Sequence, residues 1–135
     1  MCPATLLLAV ADGPGQAARA WADGADLIDI RAATPGELAS IRASLPSAVL
    51  WPGQAGTGST RPEPFDADRL AGPPANSPPP AGPPPASVVA ATAIGTWLGM
   101  PVIRSRHTRA ARRAIDMTLV IAGTQRPAST LRGLA

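Results

Sequence analysis

The densest group of side chains suited to chemistry lies in the last third of the sequence. Residues 104–113 contain five arginines, and His107 among them is the one histidine of the chain. A guanidinium presents a planar fork of N–H donors that matches phosphate or diphosphate oxygens. Arg104 ends a short apolar stretch, and a helix beginning at Thr108 adds backbone N–H groups that favour an anion. We therefore predict an anion site at Arg104, with most of the later arginines on a solvated helix face.

Asp29 is the second candidate, because it interrupts the apolar segment ADLIDI. A carboxylate in such a segment loses hydration and needs a partner. Two alternatives stay open, a hydrogen bond to a neighbouring loop backbone or a bound ligand. Asp12 and Gln54 follow two other predicted strands. In parallel α/β proteins, functional side chains gather at the carboxyl ends of the strands, where these three residues and Arg104 fall.

Composition excludes several kinds of site. All twelve basic residues are arginine, which excludes lysine Schiff bases and the phosphate loops that depend on lysine. With one cysteine, one histidine and no ordered carboxylate cluster, the sequence predicts no metal site. The net charge of +3 leaves nucleic acid as an alternative partner. We do not expect it, because an aromatic content of 3% offers little surface for stacking bases.

Residues 1–51 alternate between apolar runs and segments rich in helix formers. Short apolar runs bounded by turn residues are typical of strands buried on both faces. We predict strands over 4–11, 25–30 and 48–51, and helices over 16–23 and 34–44. Thr34 and Glu37 have the spacing of a capping box at the start of the second helix. This alternation predicts an N-terminal βαβαβ unit with a parallel sheet.

The middle of the chain has a different composition. Proline supplies eight of the fourteen residues in 72–85, and proline cannot donate the hydrogen bonds of a sheet. We predict that residues 52–86 form a disordered, proline- and glycine-rich linker or loop. An αβα unit is expected over 87–123, with Ser87 as a helix cap, a strand over 102–104 and a helix over 108–121. Residues 124–135 are expected to form a flexible tail.

The sequence shows no feature of a membrane or exported protein. Its longest apolar run, around residues 5–11, is too short to span a bilayer. No positively charged segment precedes that run, as one does in a secretory signal. We therefore expect a cytoplasmic protein without membrane association, and the bias towards arginine and alanine is typical of bacteria with GC-rich genomes.

Two segments resemble the dihydropteroate synthase family. The first, GADLIDI at 24–30, is followed by a Thr-Pro-Gly turn and is similar to the family's G-A-D-x-I-D-[IV] and its loop S-T-R-P-G. The second, TWLGMPVIRSRH at 96–107, resembles a W-x-G segment that leads into a strand ending in R-V-H-D. The closing residues 114–135 resemble the tails of actinobacterial members. The similar segments cover more than half of the chain.

The resemblance implies a TIM barrel of eight strands and a transferase of folate biosynthesis, which condenses a pterin methyl diphosphate with p-aminobenzoate. Mg²⁺, accompanying the diphosphate, is the one cofactor it implies. Asp29 matches the second-strand aspartate of the family, and Arg104 matches the arginine that helps to hold the pterin and the anion. Arg106 is the ungapped counterpart of the family's histidine, and His107 follows it, so both are included as candidate ligands.

Several departures bear on activity. The family is roughly twice as long, its first-strand signature N-V-T-P-D-S-F reads AVADGPG here, and its pterin-contacting lysine has no counterpart. Its middle strands, with further pterin contacts, would fall in the proline-rich segment. The tetrapeptide STRP occurs at 59–62, well downstream of its place in the family. A complete pterin pocket is therefore not expected from this chain alone.

We accordingly expect an α/β protein with about four strands of a partial TIM-barrel-like fold, interrupted by the proline-rich loop. Its expected role is a non-catalytic or accessory domain that binds a pterin diphosphate or another anion. About four strands cannot close an eight-stranded barrel, so the open edges predict a homo-oligomer or a partner protein. The alternatives are a structural partner of a full-length synthase, an active condensing enzyme and an arginine-rich nucleic-acid-binding module.

Overall fold

The computed structural model describes residues 4–30, 34–51, 63–73 and 82–126 of the chain. These ranges form five strands and five helices. The strands are β1 (Leu6–Ala11), β2 (Leu27–Ile30), β3 (Val49–Trp51), β4 (Phe65–Asp66) and β5 (Val102–Ser105). The helices are α1 (Pro14–Ala22), α2 (Pro35–Ser44), α3 (Ala67–Ala71), α4 (Pro85–Trp97) and α5 (Thr108–Ile121). The chain is therefore a mixed α/β protein, as the alternation of segments predicts.

The strands form one parallel sheet in the order β3-β2-β1-β5-β4. The first strand is central, and its two neighbours are the second strand and the last described one. In the register, Leu8 of β1 lies opposite Leu27 on one side and Arg104 on the other. Register partners in parallel strands point to the same side of the sheet, and successive residues alternate. The register therefore sorts the strand residues into two faces.

One face, called here the helix face, carries both hydrophobic clusters. The first cluster contains Leu7, Ala67, Val88, Ala91, Ile103, Ala111 and Ile115. The second contains Ala9, Ala11, Ala17, Ala20, Ala25, Ile28 and Ile41. Each of the five helices supplies at least one of these residues, and the strand residues among them share one side of the register. All five helices of the described chain therefore pack on the same face of the sheet.

The opposite face, called here the second face, carries the charged residues of the strands. Its members are Leu6, Leu8, Val10, Leu27, Asp29, Val49, Trp51, Asp66, Val102 and Arg104. Leu8 in the central strand is fully buried, whereas Val49 in the edge strand β3 is 55% exposed. The two faces thus differ in kind, with an apolar layer under helices on one side and a mixed surface on the other.

Residues 63–73 differ from the predicted linker, because they contain β4 and α3. Phe65 packs against the first hydrophobic cluster. Asp66 caps α3 by accepting a hydrogen bond from the backbone N–H of Arg69 at 2.9 Å. Phe65 as an apolar anchor, followed by the cap residue Asp66, stabilises this short strand and helix despite the surrounding proline and glycine. The sheet therefore has five strands rather than the predicted four or so. Residues 52–62 and 74–81 lie outside the described ranges.

The predicted helix starts are confirmed at two places and corrected at a third. The capping box is present, since Thr34 N–H donates to Glu37 Oε2 at 2.7 Å and Glu37 N–H donates to Thr34 Oγ1 at 3.3 Å. The last helix spans Thr108–Ile121, as predicted. The helix α4 begins at Pro85 rather than after Ser87, because proline fits a first turn, where its missing N–H has no helical partner.

Candidate functional site

Arg104 lies on the second face between two carboxylates. Its Nη2 donates to Asp29 Oδ2 at 3.0 Å, and its Nη1 donates to Asp66 Oδ2 at 3.1 Å. Asp66 belongs to the neighbouring strand β4, but Asp29 belongs to β2, on the far side of β1. Adjacent strands are about 4.8 Å apart, so the side chain of Arg104 extends across β1. The sheet register thus brings together the two strongest sequence candidates, Asp29 and Arg104.

The group is largely withdrawn from water. The side chains of Arg104 and Asp29 are 17% and 11% exposed, and that of Asp66 is 30% exposed. Each terminal nitrogen of the guanidinium meets a different carboxylate, which compensates the desolvation of the charges. Arg104 is therefore one of the partners that the buried Asp29 needs. The anions that Arg104 faces in the structure are the carboxylates of Asp29 and Asp66.

Asp66 and Asp68 were missed by the sequence analysis, because both lie in the segment predicted to be a linker. One oxygen of Asp66 caps α3 while the other binds Arg104. Asp68, in the first turn of α3, accepts from Ser105 Oγ at 2.7 Å and from the backbone N–H of Arg106 at 2.8 Å. The signal was present in the sequence as an aspartate before a short helix-forming run, FDADRLA.

Arg106 and His107 lie in the loop between β5 and α5. The Nη1 of Arg106 donates to Asp12 Oδ2 at 2.7 Å, and both side chains are about half exposed. His107 is the N-cap residue of α5, and its backbone N–H donates to Ser105 Oγ at 3.0 Å. The imidazole makes no capping hydrogen bond. The structure therefore brings Asp12 to Arg106, and in the described contacts His107 acts through its backbone.

The arginines of α5 only partly match the predicted solvated face. Arg109 is exposed and pairs with Asp23 at 2.8 Å. Arg112 is mostly buried, and it pairs with Asp26 at 2.9 Å and with Asp116 at 2.8 Å. Because so many arginines are paired with aspartates, the positive field of this helix is weaker than the composition suggests.

The charges on the second face favour some ligands over others. Asp29, Asp66 and Arg104 together carry one excess negative charge. A phosphate would have to compete with both carboxylates for the donors of Arg104. A neutral, planar ligand with N–H donors and ring acceptors also shares these groups with the ion pairs already present, but it meets no charge repulsion. The arrangement therefore suits a nitrogen heterocycle better than an isolated anion.

Two further expectations from the sequence concern Gln54 and a bound metal ion. Gln54 and the tetrapeptide at 59–62 lie outside the described residues. In the described ranges, no three histidine, cysteine or acidic side chains form a group able to hold a metal ion. The two carboxylates of the second face both bind Arg104. The described residues therefore do not fit a magnesium ion held by the protein itself.

Comparison with known proteins yields no relative. No family model matches the chain, and no curated protein or solved structure matches it. None of the helices in the described ranges has the length and hydrophobicity needed to cross a bilayer. A functional assignment therefore depends on the fold, on the geometry around Arg104 and on the two sequence motifs.

Proposed function

We propose that this chain is a partial β/α-barrel protein of the dihydropteroate synthase type, which binds a pterin ring on the second face and does not catalyse the condensation. The observation that carries the proposal is the position of Arg104, held between Asp29 and Asp66 near the carboxyl ends of the strands. Asp29 and Arg104 are also the residues that match the two motifs of the family.

The sheet supports the barrel part of the proposal. In a closed β/α barrel, the first strand pairs with both the second and the last strand, and the helices form one outer layer. Here β1 pairs with β2 and β5, and all five helices lie on the helix face. A doubly wound sheet would instead place helices on both faces. The second face then corresponds to a barrel interior that five strands leave open.

The ligand is argued from hydrogen-bonding groups. A pterin ring carries an amino group and a ring N–H as donors, with a carbonyl and ring nitrogens as acceptors. Asp29 and Asp66 supply acceptors, and Arg104 supplies donors. Trp51 is the register partner of Asp29 and places an indole on the same face, where aromatic rings pack in offset stacks. An indole and hydrogen-bonding groups therefore lie on the face to which we assign the planar heterocycle.

Two features favour an accessory role over catalysis. The chain contains no lysine and lacks the first-strand signature of the family. The excess negative charge at Arg104 disfavours the diphosphate group on which the condensation depends. Nucleic-acid binding is disfavoured as well, because Arg106, Arg109 and Arg112 pair with aspartates.

The test is a calorimetric titration of the purified chain with 6-hydroxymethylpterin. We expect saturable binding that weakens by about tenfold or more in Asp29→Asn and in Arg104→Met, which corresponds to about 1.4 kcal/mol. Asp116→Asn is the matched control, since this aspartate pairs with Arg112 on α5, and it should bind as the wild type does. Inorganic diphosphate should give no rise in melting temperature.

A condensation assay separates binding from catalysis. With the pterin methyl diphosphate, p-aminobenzoate and Mg²⁺, we expect no product above the rate without protein. Product that disappears in Arg104→Met would establish an active synthase. A folded chain that binds no pterin would overturn the proposal.

A further inference from the structure

The outward sides of α4 and α5 form an apolar surface with a groove of about 340 Å³ between the helices. The groove is lined by Ala93, Ile94, Trp97, Leu98, Thr118 and Ile121. Trp97 and Ile121 are 65% and 71% exposed, and Met117 lies exposed one turn before Ile121. The name α4–α5 surface is used below for Ile94, Trp97, Leu98, Met117 and Ile121. Large apolar side chains so close together and so exposed mark a site of association.

The unpaired charges beside this surface are basic. Arg113 is exposed on α5 one turn before Met117, and side chains four positions apart on a helix are neighbours. Arg126 follows the end of α5 and is exposed as well. Neither arginine makes an ion pair among the described residues. They differ in this from Arg109 and Arg112, whose charges are compensated by aspartates.

The two helices offer Arg113 no free carboxylate. Residues 70–103, which include all of α4, contain no charged residue. The one acidic residue of α5, Asp116, is paired with Arg112 at 2.8 Å. A partner that covers the apolar side chains and also brings carboxylates to the margin would therefore be complementary to this surface in both respects.

We infer that the α4–α5 surface binds an acidic amphipathic helix of another protein. A groove between two helices accepts a third helix, whose apolar residues at positions i, i+3 or i+4 and i+7 enter it. Glutamates or aspartates beside that apolar stripe would then face Arg113. Charges at the rim of an interface decide the choice of partner more than the affinity, so the groove supplies the affinity and Arg113 the selectivity. The inference is independent of pterin binding, because Arg104 lies on the second face of the sheet.

Two other occupants fit these charges less well. In a two-fold interface a second copy of this chain presents the same patch, so it brings further arginines and no free carboxylate to Arg113. A lipid surface is held by basic residues along the polar side of an interfacial helix, and α4 has no basic residue. The charge pattern therefore favours an acidic protein segment.

The test is the binding of two synthetic peptides to the purified full chain, measured by fluorescence anisotropy. Both peptides are amphipathic helices of about four turns, roughly 14 residues, with leucines along one side. One carries glutamates beside the leucines, and the other carries lysines at the same positions. We expect saturable binding of the glutamate peptide with a Kd of about 1–10 μM, roughly tenfold tighter than that of the lysine peptide.

Two variants separate the charge from the apolar contact. Arg113→Glu should reverse the preference, so that the lysine peptide binds about tenfold more tightly than the glutamate peptide. Trp97→Ala should weaken binding of the glutamate peptide by about tenfold, and Ile121→Ala provides the same test if that variant does not fold. The matched control is Arg42→Glu, since Arg42 is an exposed arginine of α2 without an ion pair among the described residues. It should keep the wild-type preference.

Several results would overturn the inference. One is a wild-type chain that binds neither peptide or binds both equally. Another is a sedimentation mass of twice 13.6 kDa that falls to the monomer value in Trp97→Ala, because a second copy would then occupy the surface. Binding that requires removal of residues 127–135 would assign the surface to the chain's own end. A reversed preference in Arg42→Glu would place the peptide on α2 instead.

Discussion

The Nη2 atom of Arg104 lies 3.0 Å from Oδ2 of Asp29, although 75 positions separate the two residues in the chain. The strand β1 lies between β2, which carries Asp29, and β5, which carries Arg104. The ion pair therefore joins the two halves of the described chain across the central strand. The shielding of Leu8 and Val10 on the second face is consistent with an arginine side chain extending over them.

Replacing Arg104 by methionine should destabilise the protein strongly. Asp29 would remain mostly buried without this charge partner, and removal of one partner from a buried pair costs about 3–5 kcal/mol. Because Asp66 is partly exposed, we expect about 2–4 kcal/mol for Arg104→Met in urea unfolding. The double variant Asp29→Asn, Arg104→Met should regain part of this loss, since it removes a mostly buried charge that has lost its guanidinium partner. A loss below about 1 kcal/mol in the single variant would contradict this account.

Arg106 provides the matched comparison. It makes an ion pair with Asp12 of similar length, but both side chains are about half exposed. Exposed pairs contribute about 0–1 kcal/mol, so Arg106→Met should unfold nearly as the wild type does. The contrast between the two arginine variants measures what burial adds to the pair at Arg104.

Asp26 should matter through a backbone group as much as through its ion pair. Its Oδ2 accepts from the backbone N–H of Leu7 at 2.8 Å and from Arg112 Nη1 at 2.9 Å. Leu7 is fully buried, and an unsatisfied buried N–H costs about 1–3 kcal/mol. Asp26→Ala should therefore lose at least this amount in urea unfolding, with faster hydrogen exchange at Leu7. Asp26→Asn keeps an acceptor oxygen and should lose less; equal losses would refute the role of the backbone bond.

The parts of the fold that sequence reasoning obtained are those encoded locally. The strand–helix alternation of residues 1–51, the capping box at Thr34 and the span of α5 depend on patterns within a few turns of chain. Asp29 and Arg104 were also identified as candidates, because charges at the ends of apolar strands stand out. Local composition and spacing were sufficient for these elements.

The parts that were missed depend on contacts distant in sequence. The strand β4 has two residues and is held by pairing with β5 and by Phe65, which packs against the first cluster. No periodicity can be read from so short a strand, and the surrounding prolines dominated the composition. The pairing of Asp29 with Arg104 was missed for a related reason, since it depends on the order of the strands and not on any local pattern.

Gly95 should be indispensable to the packing of α4 on the sheet. A Cβ atom there would lie 2.7 Å from a ring carbon of Phe65 and 3.3 Å from Cδ1 of Ile103. Alanine favours a helix over glycine by about 1 kcal/mol, but overpacking costs about 1–3 kcal/mol. Because Ile103 is fully buried, we expect a net loss of stability and a lower melting temperature for Gly95→Ala.

The control for this substitution is Gly36→Ala in the first turn of α2. Apart from its chain neighbours and the backbone of its own helix, no atom lies within 4 Å of a Cβ at Gly36, so the gain in helix propensity is not opposed. We expect Gly36→Ala to leave the melting temperature unchanged or to raise it. If Gly95→Ala also raised it, the close approach of Phe65 to α4 would be refuted.

The capping box of α2 should make part of the stability dependent on pH. The backbone N–H of Thr34 donates to the carboxylate of Glu37, and the Thr34 hydroxyl donates to it as well. These two hydrogen bonds, the backbone one first, lower the pKa of Glu37 below its ordinary value of 4.5. Folding thus favours the ionised carboxylate of Glu37, so its contribution to the free energy of unfolding is fully present above pH 4.5. It is lost as the pH falls below 4.5 and through the depressed pKa of the folded state.

Glu37→Gln isolates this contribution from the other carboxylates of the chain. Glutamine can still accept the Thr34 hydrogen bonds, but it has no charge to lose. The difference in unfolding free energy between wild type and variant should therefore be constant above pH 4.5 and should shrink as the pH falls below it. An NMR titration of the Glu37 carboxyl gives the pKa directly, and a value at or above 4.5 would contradict the bond from Thr34 as the cause. Because Glu37 is only partly buried, added salt should leave the hydrogen bonds in place and weaken only the favourable effect of its charge on the helix N-terminus.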